Sequence, residues 1–223
     1  MISGIAISVT GCLIGAVQYK NIRVESFELN MEQTVVNMDI SIKVGSFEMV
    51  KSDEFKISAE NFKEGSLKHE VKNAKLIIKD SSNDGWFRDL FDNDFIFLAK
   101  NREPQLTVYV KEGDIFENIN IDVGIGEVCL KNIDFNNSKI SCGTGKVSVS
   151  GKMTGNINVD NGIGEVYLNI YGRKSDYYID ADNGIGDISI NGKRYNKSEF
   201  SKSAKNTIII NNGVGNIDIV FED

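Results

Sequence analysis

A glycine-punctuated motif that recurs five times in the C-terminal half of the chain constrains the fold more than any other feature. It reads D-V-G-I-G-E-V, S-C-G-T-G-K-V, D-N-G-I-G-E-V, D-N-G-I-G-D-I and N-N-G-V-G-N-I, with leading glycines Gly124, Gly143, Gly162, Gly184 and Gly213. These glycines are separated by 19, 19, 22 and 29 residues. Self-similarity near this period is typical of repeat proteins, in which each unit buries its apolar face against a neighbour.

Apolar residues occupy fixed positions around each leading glycine. Three positions before it stand Ile121, Ile140, Val159, Ala181 and Ile210. Four and six positions after it stand Val128, Val147, Val166, Ile188 and Ile217, and Leu130, Val149, Leu168, Ile190 and Ile219. Apolar residues spaced by two mark the buried face of a strand. Each unit is therefore a strand, a bend and a second strand. The prediction is an all-β, repetitive, β-helix-like solenoid, with a β-sandwich-like repeat as the alternative.

The glycine pairs mark the predicted corners of the repeats. Glycine enters positive-φ conformations without a Cβ penalty and lets neighbouring backbones approach closely. A pair in every unit therefore predicts one corner repeated in register. The ten corner residues are Gly124, Gly126, Gly143, Gly145, Gly162, Gly164, Gly184, Gly186, Gly213 and Gly215.

Asparagine precedes the corner in the last three units, at Asn161, Asn183 and Asn212, where the first two units have Val123 and Cys142. Alternation from the apolar position points this column inward. The three amides are therefore predicted to stack as a ladder along the axis. The alternative is that each asparagine bonds its own backbone in a local turn.

Acidic residues flank the corner on both sides, Asp122, Asp160 and Asp182 before it and Glu127, Glu165 and Asp187 after it. Such columns could bind Ca²⁺, or Asp122, Glu127, Asp160 and Glu165 could serve a glycan-active enzyme. A solvated outer face is the simpler interpretation. It is favoured because both columns are interrupted, by Ser141, Lys146, Asn211 and Asn216.

The repeated D-N-G-I-G-E-V, the N-G-K-R-Y at residues 191–195 and the closing N-N-G-V-G-N-I-D-I-V resemble the DUF4097 family of bacterial β-strand-repeat proteins, also known as adhesins. The resemblance covers residues 1–223 in layout, and its motifs lie within 104–223. It implies a β-helix-like domain at a bacterial cell envelope behind a hydrophobic N-terminal segment. It transfers no catalytic residue.

Residues 1–17 carry no charge and predict a transmembrane anchor over residues 1–18, close to the shortest length that spans a bilayer. Lys20 and Arg23 follow the anchor, and the positive-inside rule would therefore place the β domain in the cytoplasm. The resemblance implies an extracytoplasmic domain instead, and this is the localisation we expect. Cys12 within V-T-G-C offers a lipoprotein box as an alternative.

The remaining chain, residues 19–223, is predicted to form one β domain, with irregular rungs and an aromatic cap segment over 19–103 and regular repeats over 104–223. Gly45 is interpreted as the first corner glycine of a degenerate early unit in which Phe47 replaces the second. In the cap segment, Trp86, Phe87 and Phe91 could instead contact a partner. The basic segment 191–207 is predicted to be a surface loop, and the acids that end the terminal strand are predicted to discourage edge-to-edge pairing.

Composition excludes several functions. A net charge of −7 and the lack of a basic stripe argue against nucleic acid as a partner. The lone histidine, His69, and three cysteines without a C-x-x-C motif offer no metal site or catalytic triad. No cofactor is expected. The predicted function is a non-enzymatic, membrane-anchored envelope protein that binds a surface glycan or protein, with the enzyme or a structural oligomerising scaffold as alternatives.

Overall fold

The computed structural model describes residues 18–19, 22–30, 33–82 and 103–222. Within these residues the chain forms β-strands and two short 3₁₀ turns, Lys174–Asp176 and Lys197–Glu199. In chain order the strands are β1 Gln18–Tyr19, β2 Ile22–Asn30, β3 Asn37–Val44, β4 Ser46–Ser52, β5 Lys56–Lys63, β6 Leu67–Lys72, β7 Lys75–Asp80, β8 Gln105–Lys111, β9 Ile115–Lys131, β10 Asp134–Gly151, β11 Asn156–Ile163, β12 Val166–Tyr171, β13 Tyr177–Ile185, β14 Ile188–Ile190, β15 Lys193–Arg194, β16 Asn206–Val214 and β17 Ile217–Glu222.

The glycine corner joins two mainly parallel sheets. Strands β9 and β10 run through the corner and belong to both sheets, pairing with each other in parallel register on either side of it. In the other complete repeats the corner separates two strands, as in β11 and β12 or β16 and β17. Each repeat therefore forms one rung of two strand segments joined at the corner, and the all-β repeat fold is confirmed.

The hydrophobic core lies between the two sheets and forms one cluster. The three apolar columns point into it, and Ile121, Val128 and Leu168 are fully buried. Only the unit around Gly184 is looser, because Ala181 lies at the limit of burial and Ile188 is half-buried. This unit forms the last rung of the stack, where the core has a neighbour on one side only.

The order of the rungs along the stack differs from their order along the chain. Strand β16 lies between β11 and β13, and β17 lies between β12 and β14. The unit of Gly213 is therefore inserted between the units of Gly162 and Gly184. Strand β17 has a parallel partner on each side over Ile217–Ile219, and its acidic end at Glu222 pairs with β12 alone.

The early rung is formed by β3 and β4, but its corner is shifted by two residues from the predicted alignment. Strand β3 pairs with β9 so that Val44 lies opposite Ile125. Gly45 consequently occupies the position of the second corner glycine, and Lys43 that of the first. The first glycine, not the second, is therefore the one that this rung lacks, and Phe47 lies in the buried column opposite Val128.

Residues 191–207 are mostly exposed at the surface, as predicted, and they also cover the last rung through Tyr195 and Phe200. The Tyr195 hydroxyl donates to the carbonyl of Ile179 at 2.8 Å and accepts from the amide of Ala181 at 3.3 Å. Lys197 forms an ion pair with Asp180 on the same strand. The segment thus occupies backbone groups on the outer edge of β13, which would otherwise be open to another strand.

Two predicted segments lie outside the described residues, namely the anchor apart from Gln18 and the aromatic segment with Trp86, Phe87 and Phe91. In the part of the chain that is described, no helix has the length and apolarity needed to cross a bilayer.

Candidate binding surface at the glycine corner

The corner is built by backbone stacked directly on backbone. A Cβ on Gly143 would lie 2.5 Å from the carbonyl oxygen of Gly124 in the neighbouring rung. A Cβ on Gly145 would overlap the carbonyl oxygen of Gly126, and Gly145 also has a φ of +144°. In the five repeats both glycines are therefore required by the close approach of rungs, whereas Lys43 can replace the first one in the early rung because β7 pairs with β3 no further than Ser41.

The inward asparagine column forms hydrogen bonds along the stack in its spatial order. Asn161 Nδ2 donates to Asn212 Oδ1 at 2.9 Å, and Asn212 Nδ2 donates to Asn183 Oδ1 at 3.1 Å. Asn183 Nδ2 donates to the carbonyl of Gly215 at 2.8 Å. The structure thus brings the three asparagines together across rungs, and this arrangement fixes the register of the last three.

The residue between the two corner glycines forms an exposed apolar ridge that the sequence analysis missed. The pairing of neighbouring rungs places these residues in one line along the stack. Four of the five are large and apolar, and each is at least two-fifths exposed. In spatial order the ridge consists of Ile125 (49% exposed), Thr144, Ile163 (56%), Val214 (42%) and Ile185 (69%).

A shallow, open acidic groove runs beside the ridge on the side of the first sheet. Its volume is about 620 Å³, and corner glycines contribute to its lining. The residues two before each leading glycine form one wall, in the spatial order Asp122, Ser141, Asp160, Asn211 and Asp182. Asn211 Nδ2 donates to Asp160 Oδ1 at 2.8 Å. A neutral side chain therefore separates each carboxylate from the next.

A second acidic column follows the ridge on the side of the second sheet. Its spatial order is Glu127, Lys146, Glu165, Asn216 and Asp187. Lys146 Nζ lies 3.8 Å from Glu165 Oε2, and both side chains are exposed. The amide of Asp187 donates to Asn216 Oδ1 at 3.0 Å. The interruptions seen in the sequence thus prevent acidic side chains from stacking directly on one another, and the column stays net negative.

The alternation of acidic with neutral or basic side chains in the two columns favours neither a Ca²⁺ site nor a glycan-active enzyme. Among the residues that the structure describes, no group of three or more His, Cys, Asp or Glu side chains could hold a metal ion. A glycosidase needs a carboxylic acid held in a desolvating cleft. Asp122, Glu127, Asp160 and Glu165 are all exposed instead.

The described cysteines lie on opposite faces of two neighbouring rungs, Cys129 in the repeat of Gly124 and Cys142 in the repeat of Gly143. Cys142 is buried in the inward column and Cys129 is half-buried on the outer face, and both are free thiols. Burial raises the pKa of each thiol. Since the thiolate is the reactive form, neither environment activates a nucleophile.

The fold and surface define a class of repeat protein in which stacked β-rungs expose a regular edge. The chain belongs to the toastrack DUF4097 family, which matches residues 35–191, and the resemblance seen in the sequence is confirmed.

Two solved structures are similar to this chain. A putative cell adhesion protein from Clostridium sporogenes has 20% identity and a TM-score of 0.63 over 89% of this chain and 100% of its own. A putative adhesin from Bacteroides fragilis has 10% identity and a TM-score of 0.36 over 87% and 97%. Among curated proteins, none matches.

Proposed function

We propose that this protein is a non-enzymatic module of the bacterial cell envelope, anchored through residues 1–18, whose extracytoplasmic β domain binds a macromolecular partner at the corner ridge. The observation that carries the proposal is the exposed line of Ile125, Ile163, Val214 and Ile185 on a rigid edge. Contiguous apolar surface rimmed by polar residues is characteristic of interaction sites.

The similar fold of the Clostridium sporogenes protein, described as a cell adhesion protein, supports an adhesive role. The hydrophobic character of residues 1–17 supports the anchor. The positive charges at Lys20 and Arg23 favour the opposite topology, so the side of the membrane is the first property to measure.

Two measurements test the proposal in cells that produce the full chain. Protease added to intact cells should degrade the β domain, whereas protection until lysis would overturn the extracytoplasmic placement.

Attachment of the same cells to mucin-coated and collagen-coated surfaces should fall when the ridge carries Ile125→Thr, Ile163→Thr and Ile185→Thr. Threonine already occupies the ridge at Thr144, so the variant should fold normally. Cells that lack the protein give the background level of attachment. If the triple variant attaches as strongly as the wild type, and both exceed this background, the role of the ridge is overturned.

A further inference from the structure

The ridge and its flanks together specify the chemistry of the partner. Resting on the function proposed above, we infer that the corner edge binds an amphipathic α-helix of another protein, with an apolar stripe flanked on both sides by Lys or Arg. The apolar stripe covers the ridge, and the basic side chains meet the two acidic columns.

Distances along the stack match a helix. Neighbouring rungs lie about 4.8 Å apart, so the five ridge positions span about 19 Å. A helix has a pitch of 5.4 Å and a rise of 1.5 Å per residue, so about 13 helical residues cover that length. Residues at i, i+3 and i+4 form a continuous apolar stripe on one helix face. Such a stripe can follow the ridge from Ile125 to Ile185.

An extended peptide does not fit, because the backbone of the ridge is already bonded between rungs. The carbonyl of Ile125 accepts from the amide of Gly45 at 2.9 Å, and that of Val214 accepts from Gly164 at 2.8 Å. The carbonyl of Ile185 accepts from Gly215 at 2.8 Å. Peptides that add a strand to a sheet need unpaired backbone groups. A partner at the ridge therefore contacts the ridge side chains and not the ridge backbone.

The two acidic columns beside the ridge favour a positively charged partner. Asp122, Asp160 and Asp182 line the groove on one side, and Glu127, Glu165 and Asp187 follow the ridge on the other. Lysine and arginine can lay their aliphatic stems in such a groove with the charged group among the carboxylates. A second copy of this chain would bring like charges together, since its net charge is −7.

A glycan fits the ridge less well than a helix does. Sugar rings stack on aromatic side chains, whereas the ridge residues are Ile, Val and Thr. An anionic membrane surface is disfavoured by the acidic columns on both sides.

The test uses the full chain in detergent and a synthetic helical peptide of about 16 residues, with a leucine stripe flanked by lysines. One control peptide has every lysine replaced by glutamate, and another has the same composition scrambled so that no stripe forms. The striped cationic peptide should bind with a micromolar Kd, and both controls at least about tenfold more weakly. Equal binding of the striped and scrambled cationic peptides would overturn the inference, because charge alone would then explain it.

Two protein variants separate the contributions. Ile125→Thr/Ile163→Thr/Ile185→Thr should weaken binding by about tenfold or more. Asp122→Asn/Asp160→Asn/Asp182→Asn should weaken it similarly and reduce its salt dependence. The matched control, Glu54→Gln/Glu70→Gln/Glu117→Gln, removes the same charge from exposed positions away from the corner and should bind normally. Equal loss in the two charge variants would overturn the inference.

Failure of the inference can be told apart from failure of the proposed function. If the ridge variant abolishes cell attachment but the striped peptide does not bind, the ridge is functional and its partner is not a cationic helix. Binding of the chain to phosphatidylglycerol vesicles that the ridge variant weakens, without peptide binding, would likewise replace the helix by a membrane surface.

Discussion

Asn161 donates a hydrogen bond from its Nδ2 to Oδ1 of Asn212, a residue 51 positions later in the chain, at 2.9 Å. The residue at the same position of the next repeat in sequence, Asn183, bonds to the far side of Asn212. These two hydrogen bonds reflect the order of the stack, because the C-terminal rung lies between two rungs that precede it in the chain. The amides therefore help to set the register of the inserted rung against both neighbours.

The ladder predicts a large loss of stability when its central member is removed. Asn212→Ala should lower the free energy of unfolding by about 2–4 kcal/mol, since it leaves Asn161 Nδ2 and Asn183 Oδ1 without a partner. Asn211→Ala, which removes one exposed hydrogen bond to Asp160, should cost less than about 1 kcal/mol. Urea unfolding monitored by circular dichroism measures both. If the two variants lose similar free energies of unfolding, the buried ladder stabilises the protein no more than a single exposed hydrogen bond does.

The backbone stacking at the corner predicts an unusually costly glycine substitution. Gly145→Ala should destabilise the protein by more than about 4 kcal/mol, because its Cβ overlaps the carbonyl oxygen of Gly126. Gly113→Ala is the control, since Gly113 also has positive φ, +85°, but nothing within 4 Å of the added Cβ. It should cost only about 1–2 kcal/mol of backbone strain. Thermal unfolding of both variants separates steric overlap from strain, and comparable Tm values would contradict the prediction.

The cover over the last rung predicts a change in association. Tyr195→Phe should expose the carbonyl of Ile179 and the amide of Ala181 on the edge of β13, because the hydroxyl that bonds both is lost. Open strand edges promote pairing between molecules. Sedimentation velocity at rising concentration should show oligomers for this variant. Tyr171→Phe, which removes an exposed bond to Asn132, should behave like the wild type; oligomers in both, or in neither, would argue against an edge cap.

A buried tyrosine predicts the response to alkaline pH. Burial, with a contribution from Asp176, raises the pKa of Tyr177 to about 12, and its hydroxyl donates to the carbonyl of Met153 at 2.7 Å. Because the folded state holds the proton more tightly than the unfolded chain, this stabilisation is complete below pH 10 and is lost between about pH 10 and 12. Urea midpoints should therefore fall more steeply over this range in the wild type than in Tyr177→Phe.

Tyr171→Phe serves again as the control in this experiment, and it should keep the steep wild-type dependence. A Tyr177→Phe variant whose midpoints follow the wild-type slope would show that another group causes the alkaline transition.

The strands and corners could be predicted from the sequence because they depend on local rules. Period-two apolar columns fixed the buried faces, and paired glycines marked the bends. The same rules could not give the order of the rungs, since every repeat presents matching columns and can stack on any other. Only the longer spacings before Gly184 and Gly213 hinted at a rearrangement. Lys43 was missed for a related reason, as a single remaining glycine does not show which of the two it is.

The ridge escaped the sequence analysis because alternation fails at the corner. Counting by two from the inward column at Val123 points Ile125 inward, whereas counting back from Val128 points it outward. The positions that fix each strand are an odd number of residues apart, so the chain changes parity within the bend. The conformation of the bend decides between the two, and it leaves Ile125, Ile163 and Ile185 exposed.

The enclosed position of the C-terminal rung limits how such a protein can change in length during evolution. Residues Ile217–Ile219 of β17 have a neighbour on each side and Tyr195 closes the rung beyond them, so a further rung finds no free edge here. In contrast, β9 and β10 are related by one 19-residue translation with equivalent columns throughout. Tandem duplication of that central unit would therefore add a rung in the same register and lengthen the exposed edge.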